Sequence, residues 1–214
     1  MKNKTCKSVL VPLVLVMLGN APAKADEPAK NYSVSQDVML TGAEEGRTLR
    51  LSGYGAVGNY NVYGVMDSFG PKTSTQNTYG ELHLSKGVNR GLLYQTEVNS
   101  GLKGPVVFRT GPKIKLPTPK NTYADVKVLP LNVSTENGLL NETQIGFYGS
   151  ANLGKWYAED WIDHTVRYGE APFTLGELTI GRQIGDNFSL QTQAAKDVNS
   201  SGWALRLGGR YKIF

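Results

Sequence analysis

Gly202-Trp203-Ala204-Leu205-Arg206-Leu207-Gly208-Gly209-Arg210-Tyr211-Lys212-Ile213-Phe214 is the stretch on which the fold turns. Trp203, Leu205, Leu207, Tyr211 and Ile213 share one face at a period of two residues, and Arg206, Arg210 and Lys212 share the other. A closed transmembrane barrel needs that division, with apolar side chains against lipid and charged ones against a wet interior. A strand of a soluble sandwich alternates as well, so the rest of the chain has to separate the two.

The amino terminus sets the compartment. Lys2, Lys4 and Lys7 are followed by the apolar run Val9 to Leu18, too short to span a bilayer as a helix, and by Ala23-Lys24-Ala25. This is the pattern of a secretory signal peptide over residues 1–25. Its cleavage predicts a chain without cysteine, because Cys6 lies inside it, and so without disulfides or thiolate metal sites. The full chain carries 23 basic and 18 acidic residues, a net +5, but residues 1–25 hold four lysines and no acid. The remainder is close to neutral, so the basic balance is no argument for nucleic acid.

Residues 26–47 are polar and read as a periplasmic leader, with a small plug in the barrel interior as the sharper alternative. From residue 48 to 214, strand-like segments alternate with turn signals. Ten are expected, at 48–58, 79–86, 91–100, 105–117, 122–134, 142–153, 155–168, 173–184, 187–196 and 202–214. Connections after the second, fourth, sixth and eighth are short. Those after the odd-numbered segments are mostly longer and polar, notably Met66 to Asn77 and Thr135 to Asn141. Short turns on one side and longer loops on the other are the habit of outer-membrane barrels. Twelve strands is the alternative, because Tyr60 to Met66 could add a strand and the fourth and fifth segments could split at Pro112 and Pro130.

Aromatic residues cluster toward segment ends. Tyr123, Trp156, Phe188, Tyr211 and Phe214 fall near one rim, and Tyr79, Tyr168, Phe173 and Trp203 near the other, as two membrane girdles would. Two places resist the pattern. In segment 155–168, Asp160 and His164 share the outward face with Trp156 and Ile162, which a bulge near Glu159-Asp160 would repair. Pro112 and Pro130 need bulges, or positions above the membrane.

The terminal strand closing on Phe214 resembles the assembly signal of bacterial outer-membrane barrels, although Tyr211 and Phe214 have opposite parity. The resemblance implies outer-membrane lipid and the barrel assembly machinery as partners. In size and style, residues 48–214 also resemble small porins for acidic sugars, at the level of architecture only.

The inward face is the informative constellation. Parity gathers Arg50, Glu81, His83, Glu97, Arg109, Lys113, Lys115, Asp125, Lys127, Glu177, Arg206, Arg210 and Lys212 as pore-lining candidates. Two basic walls are expected, one on the fourth and fifth segments and one on the tenth and first. The bland alternative is a set of charges that pair with one another and seal the barrel. Catalysis finds little support. Gly-x-Ser-x-Gly is absent, and His83 and His164 fall on opposite faces and far-apart segments, so neither a catalytic set nor a metal site is expected. No cofactor is implied. The expectation is therefore an all-β antiparallel transmembrane barrel of about ten strands, forming a narrow channel for small polar solutes that the basic walls would bias toward anions. A non-conducting structural or adhesive barrel is the rival, and the oligomeric state is left open.

Overall fold

A computed structural model describes residues 33–41, 47–57, 60–70, 77–89, 91–101, 104–196 and 203–213. Residues 1–25, read as a signal peptide, and Phe214 lie outside the described residues. The strands are β1 (Ser33–Thr41), β2 (Arg47–Val57), β3 (Tyr60–Gly70), β4 (Asn77–Asn89), β5 (Leu92–Gly101), β6 (Val106–Lys115) and β7 (Thr122–Leu129). They continue as β8 (Leu131–Ser134), β9 (Gly138–Leu140), β10 (Glu142–Leu153), β11 (Trp156–Arg167), β12 (Phe173–Gln183), β13 (Phe188–Lys196) and β14 (Ala204–Lys212).

All pairings are antiparallel, and they close. β1 to β7 follow one another, β10 joins β7, β11 to β14 continue, and β14 pairs back onto β1. β8 continues β7 beyond Pro130, and β9 leads into β10 across Asn141, so this hairpin extends the wall on one side and adds no strand to the ring. The wall therefore has twelve strands, the alternative count rather than ten. Both additions come from the first half of the chain. Residues 33–41, read as leader, are β1. The stretch from Tyr60, read as a connection from Met66 on, is β3 through to Gly70.

Closure explains why polar β1 is a strand at all. In lipid an unpaired backbone N–H or C=O costs several kcal/mol, so a spanning sheet must have no edge. β1 supplies the missing partner for β14, from Ser35↔Lys212 to Thr41↔Arg206. The seam is tight at Gly208, where a Cβ would collide with the Val38 carbonyl and Met39.

Pro130 sits at a bulge. Thr110 pairs with Leu131 and Lys113 with Lys127, so two residues of β6 face three of the partner strand. Gly111 lies under it, and a Cβ there would run into Val128 and Pro130. Pro112 is accommodated without splitting β6, opposite Tyr94. The bulge also switches parity: Asp125 and Lys127 face in before it, Asn132 and Ser134 after it.

Side chains sort as the alternation requires. Val38, Leu40, Phe147, Ile162, Leu178, Ile180, Leu190, Leu205 and Leu207 are exposed outward, while Glu97, Gln95, Asp125 and Thr165 are buried inward. This inversion of an ordinary soluble core is what a lipid-bounded barrel demands. The register of β11 runs unbroken against both neighbours, so no bulge repairs segment 155–168. Asp160 stays on the outward face, between Gly149 and Leu178, and His164 accepts or donates one hydrogen bond there with Thr174 Oγ1 at 3.0 Å.

These positions make the phase testable. Leu207→Arg puts a cation on the lipid face midway along β14 and should lower stability by about 2–4 kcal/mol, measured by urea unfolding of the refolded barrel in lipid vesicles. Asp160→Leu removes a carboxylate from the same belt and should raise the unfolding midpoint. A lower midpoint for Asp160→Leu would mean that face does not meet lipid.

Candidate functional site: the barrel interior

The strand ends that join β2 to β3, β4 to β5, β6 to β7, β10 to β11 and β12 to β13 share one end of the barrel, which we call the turn end; the other is the loop end. Gly91 and Gly154 take positive φ (81° and 68°) in two of these turns, a conformation that favours glycine. The termini of β1 and β14 also lie at the turn end, the periplasmic side by the loop-length rule.

Inside the ring, Arg50, Glu81, His83, Glu97, Arg109, Lys113, Asp125, Lys127, Glu177, Arg206 and Arg210 take part in ion pairs, and Lys115 and Lys212 share the strand parity of Lys113 and Arg210. Several aromatic placements are corrected. Tyr79 lies inside, donating a hydrogen bond to Glu81, because residues 79, 81 and 83 share one face of β4. Tyr123 is also interior, with its ring 5.9 Å from that of Tyr148 and under the Lys115 ammonium at 5.2 Å. Phe173 has the parity of Glu177 and stacks under the Arg167 guanidinium at 4.5 Å on the inner rim of the loop end. Position near a strand end had suggested girdle roles for all three, but parity decides which face a ring occupies. Trp156, Phe188, Trp203 and Tyr211 are exposed on the outward face, and Tyr168 is exposed at the loop-end rim. Tyr60 and Tyr94 join the turn-end belt, with Lys86 5.3 Å over the Tyr60 ring and Arg182 5.4 Å over that of Trp156.

The interior is a network of ion pairs. One row crosses four adjacent strands in alternating sign: Asp67 on β3, Arg50 on β2, Asp37 on β1 and Arg210 on β14. Arg50 clasps Asp67 in a two-pronged pair, Nε to Oδ1 at 2.7 Å and Nη2 to Oδ2 at 2.6 Å. Arg210 Nε donates to Asp37 Oδ1 at 2.9 Å. Both arginines also reach away from their own wall. Arg210 donates twice to Glu159 on β11, each at 2.8 Å. Arg50 donates to Glu177 on β12, through Nη2 to Oε1 at 2.9 Å and through Nη1 to Oε2. Glu177 further accepts from Trp161 Nε1 at 3.0 Å, Gln193 Nε2 at 3.2 Å and Arg206 Nη1 at 3.4 Å.

A second cluster centres on Lys127. Its ammonium contacts Glu97 Oε1 at 2.6 Å and Asp163 Oδ1 at 3.0 Å. Beside it, His83 sits 2.9 Å from Glu81 and 3.8 Å from Glu97, with its ring 5.3 Å from that of Tyr63. Toward the turn end, Lys113 pairs with Asp125 at 2.8 Å. Toward the loop end, Glu142 is shared by Arg109 (3.4 Å) and Arg167 (3.1 Å). A cleft of about 380 Å³ opens there under the β8–β9 hairpin, lined by Arg109, Arg167, Glu142, Ser134, Asn137 and Tyr168.

The two basic walls are therefore corrected. Sequence reading had found Glu81, Glu97, Asp125 and Glu177, and missed Asp37, Asp67, Glu142, Glu159 and Asp163. Among the described residues, nine inward carboxylates face nine inward bases: Arg50, Arg109, Lys113, Lys115, Lys127, Arg167, Arg206, Arg210 and Lys212. Asp37 and Asp67 were hidden in stretches read as leader and loop. Glu159 and Asp163 were legible, because they share parity with Trp161 and oppose Trp156 and Ile162.

A closed antiparallel ring with an apolar, aromatic-flanked exterior and a charged interior defines a transmembrane β-barrel of the bacterial outer-membrane type. Among solved structures the chain is similar to the KdgM porin, at 9% sequence identity and TM-score 0.55, covering 85% of this chain and 99% of that one. It is likewise similar to the KdgM porin in complex with disordered oligogalacturonate, at 9% identity, TM-score 0.57 and the same coverage of 85% and 99%. An outer-membrane channel from Pseudomonas putida F1 aligns over 90% of this chain and 99% of its own, at 9% identity and TM-score 0.48. No protein-family model and no curated protein matches the chain. What is shared with the KdgM porin is a fold.

The Lys127 cluster makes a stability prediction. Removing one partner of a buried ion pair leaves uncompensated charge and costs about 3–5 kcal/mol. Lys127→Met takes the base from Glu97 and strands Asp163, and should lower the urea midpoint of the refolded barrel far more than Lys115→Met, whose ammonium has the Tyr123 ring as its partner among the described residues.

Proposed function

We propose that the chain forms a narrow channel for small polar solutes across the bacterial outer membrane. The observation that carries this reading is the interior: charged and amide side chains line it from the turn end to the loop end, inside a wall whose outer surface suits lipid. The fold shared with the KdgM porin agrees with it.

Solutes bearing a carboxylate are the candidate class. Two features support them. The loop-end cleft sets Arg109 and Arg167 around one buried acid, Glu142, while the second carboxylate of the cleft, Glu170, is exposed and meets Arg167 at 3.4 Å. The KdgM porin, with the same fold, is described with oligogalacturonate. Against a strong bias stands the balance of interior charge, which leaves Lys115 and Lys212 as the inward bases without a carboxylate partner among the described residues.

One observation favours a sealed structural barrel instead. Mid-barrel groups such as Glu97, Asp37, Asp125, Gln193 and Arg206 are 1–4% exposed, so paired side chains fill the waist. Planar-bilayer recording of refolded protein separates the readings. The channel reading expects discrete conductance steps with a weak anion preference at low salt, fading near 0.1 M, where the Debye length is about 10 Å. Lys115→Gln with Lys212→Gln should abolish that preference and leave insertion intact. Folded protein that inserts and carries no current would favour the sealed barrel.

A further inference from the structure

We propose that Glu177 sets the calibre and charge selectivity of the lumen by holding Arg50 across it. This rests on the channel reading and names the residue pair at which passage is decided. β2 and β12 are separated by three strands of the ring, β1, β14 and β13, so the Arg50–Glu177 pair is a bridge through the interior and not a contact between neighbours along the wall. The other long reach, Arg210 to Glu159, is separated by two strands, β13 and β12.

The bridge is built to release at one end. Arg50 has a complete second partner in Asp67 on the adjacent strand, with both prongs satisfied at 2.7 and 2.6 Å. Without Glu177 it falls back against its own wall. Glu177 keeps Trp161, Gln193 and Arg206 when Arg50 leaves. Both ends thus remain hydrogen-bonded in an open arrangement, and opening strands no buried charge, which is the costly outcome. The Lys127 cluster lacks this property at one end: its ammonium is shared by Glu97 and Asp163, and its departure leaves Glu97 with Gln95 but Asp163 with no partner among the described residues. The Arg50–Glu177 bridge is therefore a part of the network that can open and close, and of the two long reaches it spans more of the ring.

The test is single-channel recording of the full-length barrel in planar bilayers, with heat-shifted gel mobility as the folding control. Glu177→Gln keeps the hydrogen-bonding shape and removes the charge that draws Arg50 over; conductance should rise and the reversal potential shift toward anions. Arg50→Gln should also raise conductance, with a shift toward cations, because Asp67 and Glu177 lose their shared base. Opposite shifts in selectivity with the same direction in conductance are not expected from loosened packing. Arg50→Lys, whose single ammonium cannot clasp Asp67 and reach Glu177 together, should raise conductance with little selectivity change, and serves if Glu177→Gln does not insert. A conducting wild type whose three variants match it overturns the bridge and leaves the channel reading standing. A silent wild type with conducting variants supports the bridge as a closed gate. Folded protein that is silent in every form overturns both.

Discussion

The structure depends on the absence of a sheet edge. A strand in hydrocarbon cannot leave its backbone groups to water, so every one must find a neighbour and the sheet has to return to its start. The β1–β14 seam is that return. It recruits a segment, Ser33–Thr41, whose own composition argues weakly for a strand, and it requires glycine at position 208 where the two backbones approach. The ring closes on twelve strands because β1 and β3 each supply a neighbour that a sheet of ten would lack.

Closure creates the second problem, which the interior solves. Alternation sends half of all side chains inward, and in this chain many of them ionise. Buried charge is tolerated only where it is paired and hydrogen-bonded. The pairing here is not assembled from chance contacts. Register places Asp67, Arg50, Asp37 and Arg210 side by side in alternating sign, and longer arms then tie one wall to another through Glu177 and Glu159. The interior acts as the barrel's core, held by ion pairs where a soluble domain would use leucine.

Where the pattern of alternation was strong, the sequence was legible. The ring strands from β4 onward follow segments that period-two alternation marks, and the orientation of β14 was readable from single residues, whereas the short β9 lies in Thr135 to Asn141, read as a connection. Two things hid the rest. Ser33–Thr41 has only Val34, Val38, Met39 and Leu40 as apolar residues, so local pattern could not overrule its polar look; only the long-range need of β14 for a partner does. Asp67 and Ser68 interrupt β3 with residues that ordinarily signal a loop, although Asp67 is a buried partner of Arg50. Both omissions removed acids from the interior, and together with the missed Glu142, Glu159 and Asp163 they produced the expected basic walls. Tyr79, Tyr123 and Phe173 fail for a different reason. Height along a strand and face of a strand are independent coordinates, and a girdle residue needs both.

The aromatic belt has one more consequence. Tyr60, Tyr94, Trp156, Phe188 and Tyr211 ring the turn end, two of them capped by Lys86 and Arg182, whereas the exposed rings toward the loop end, Phe108, Tyr168 and Trp203, have no cation over them among the described residues. Amphipathic rings with cations beside them prefer the headgroup level. The barrel is thus moored at one leaflet and loosely held at the other. In a membrane thicker or thinner than its apolar band, the turn end keeps its depth and the mismatch is taken up at the loop end. The rim carrying the Arg109–Arg167 cleft would rise or sink against the lipid surface with membrane thickness, while the opposite mouth stays level.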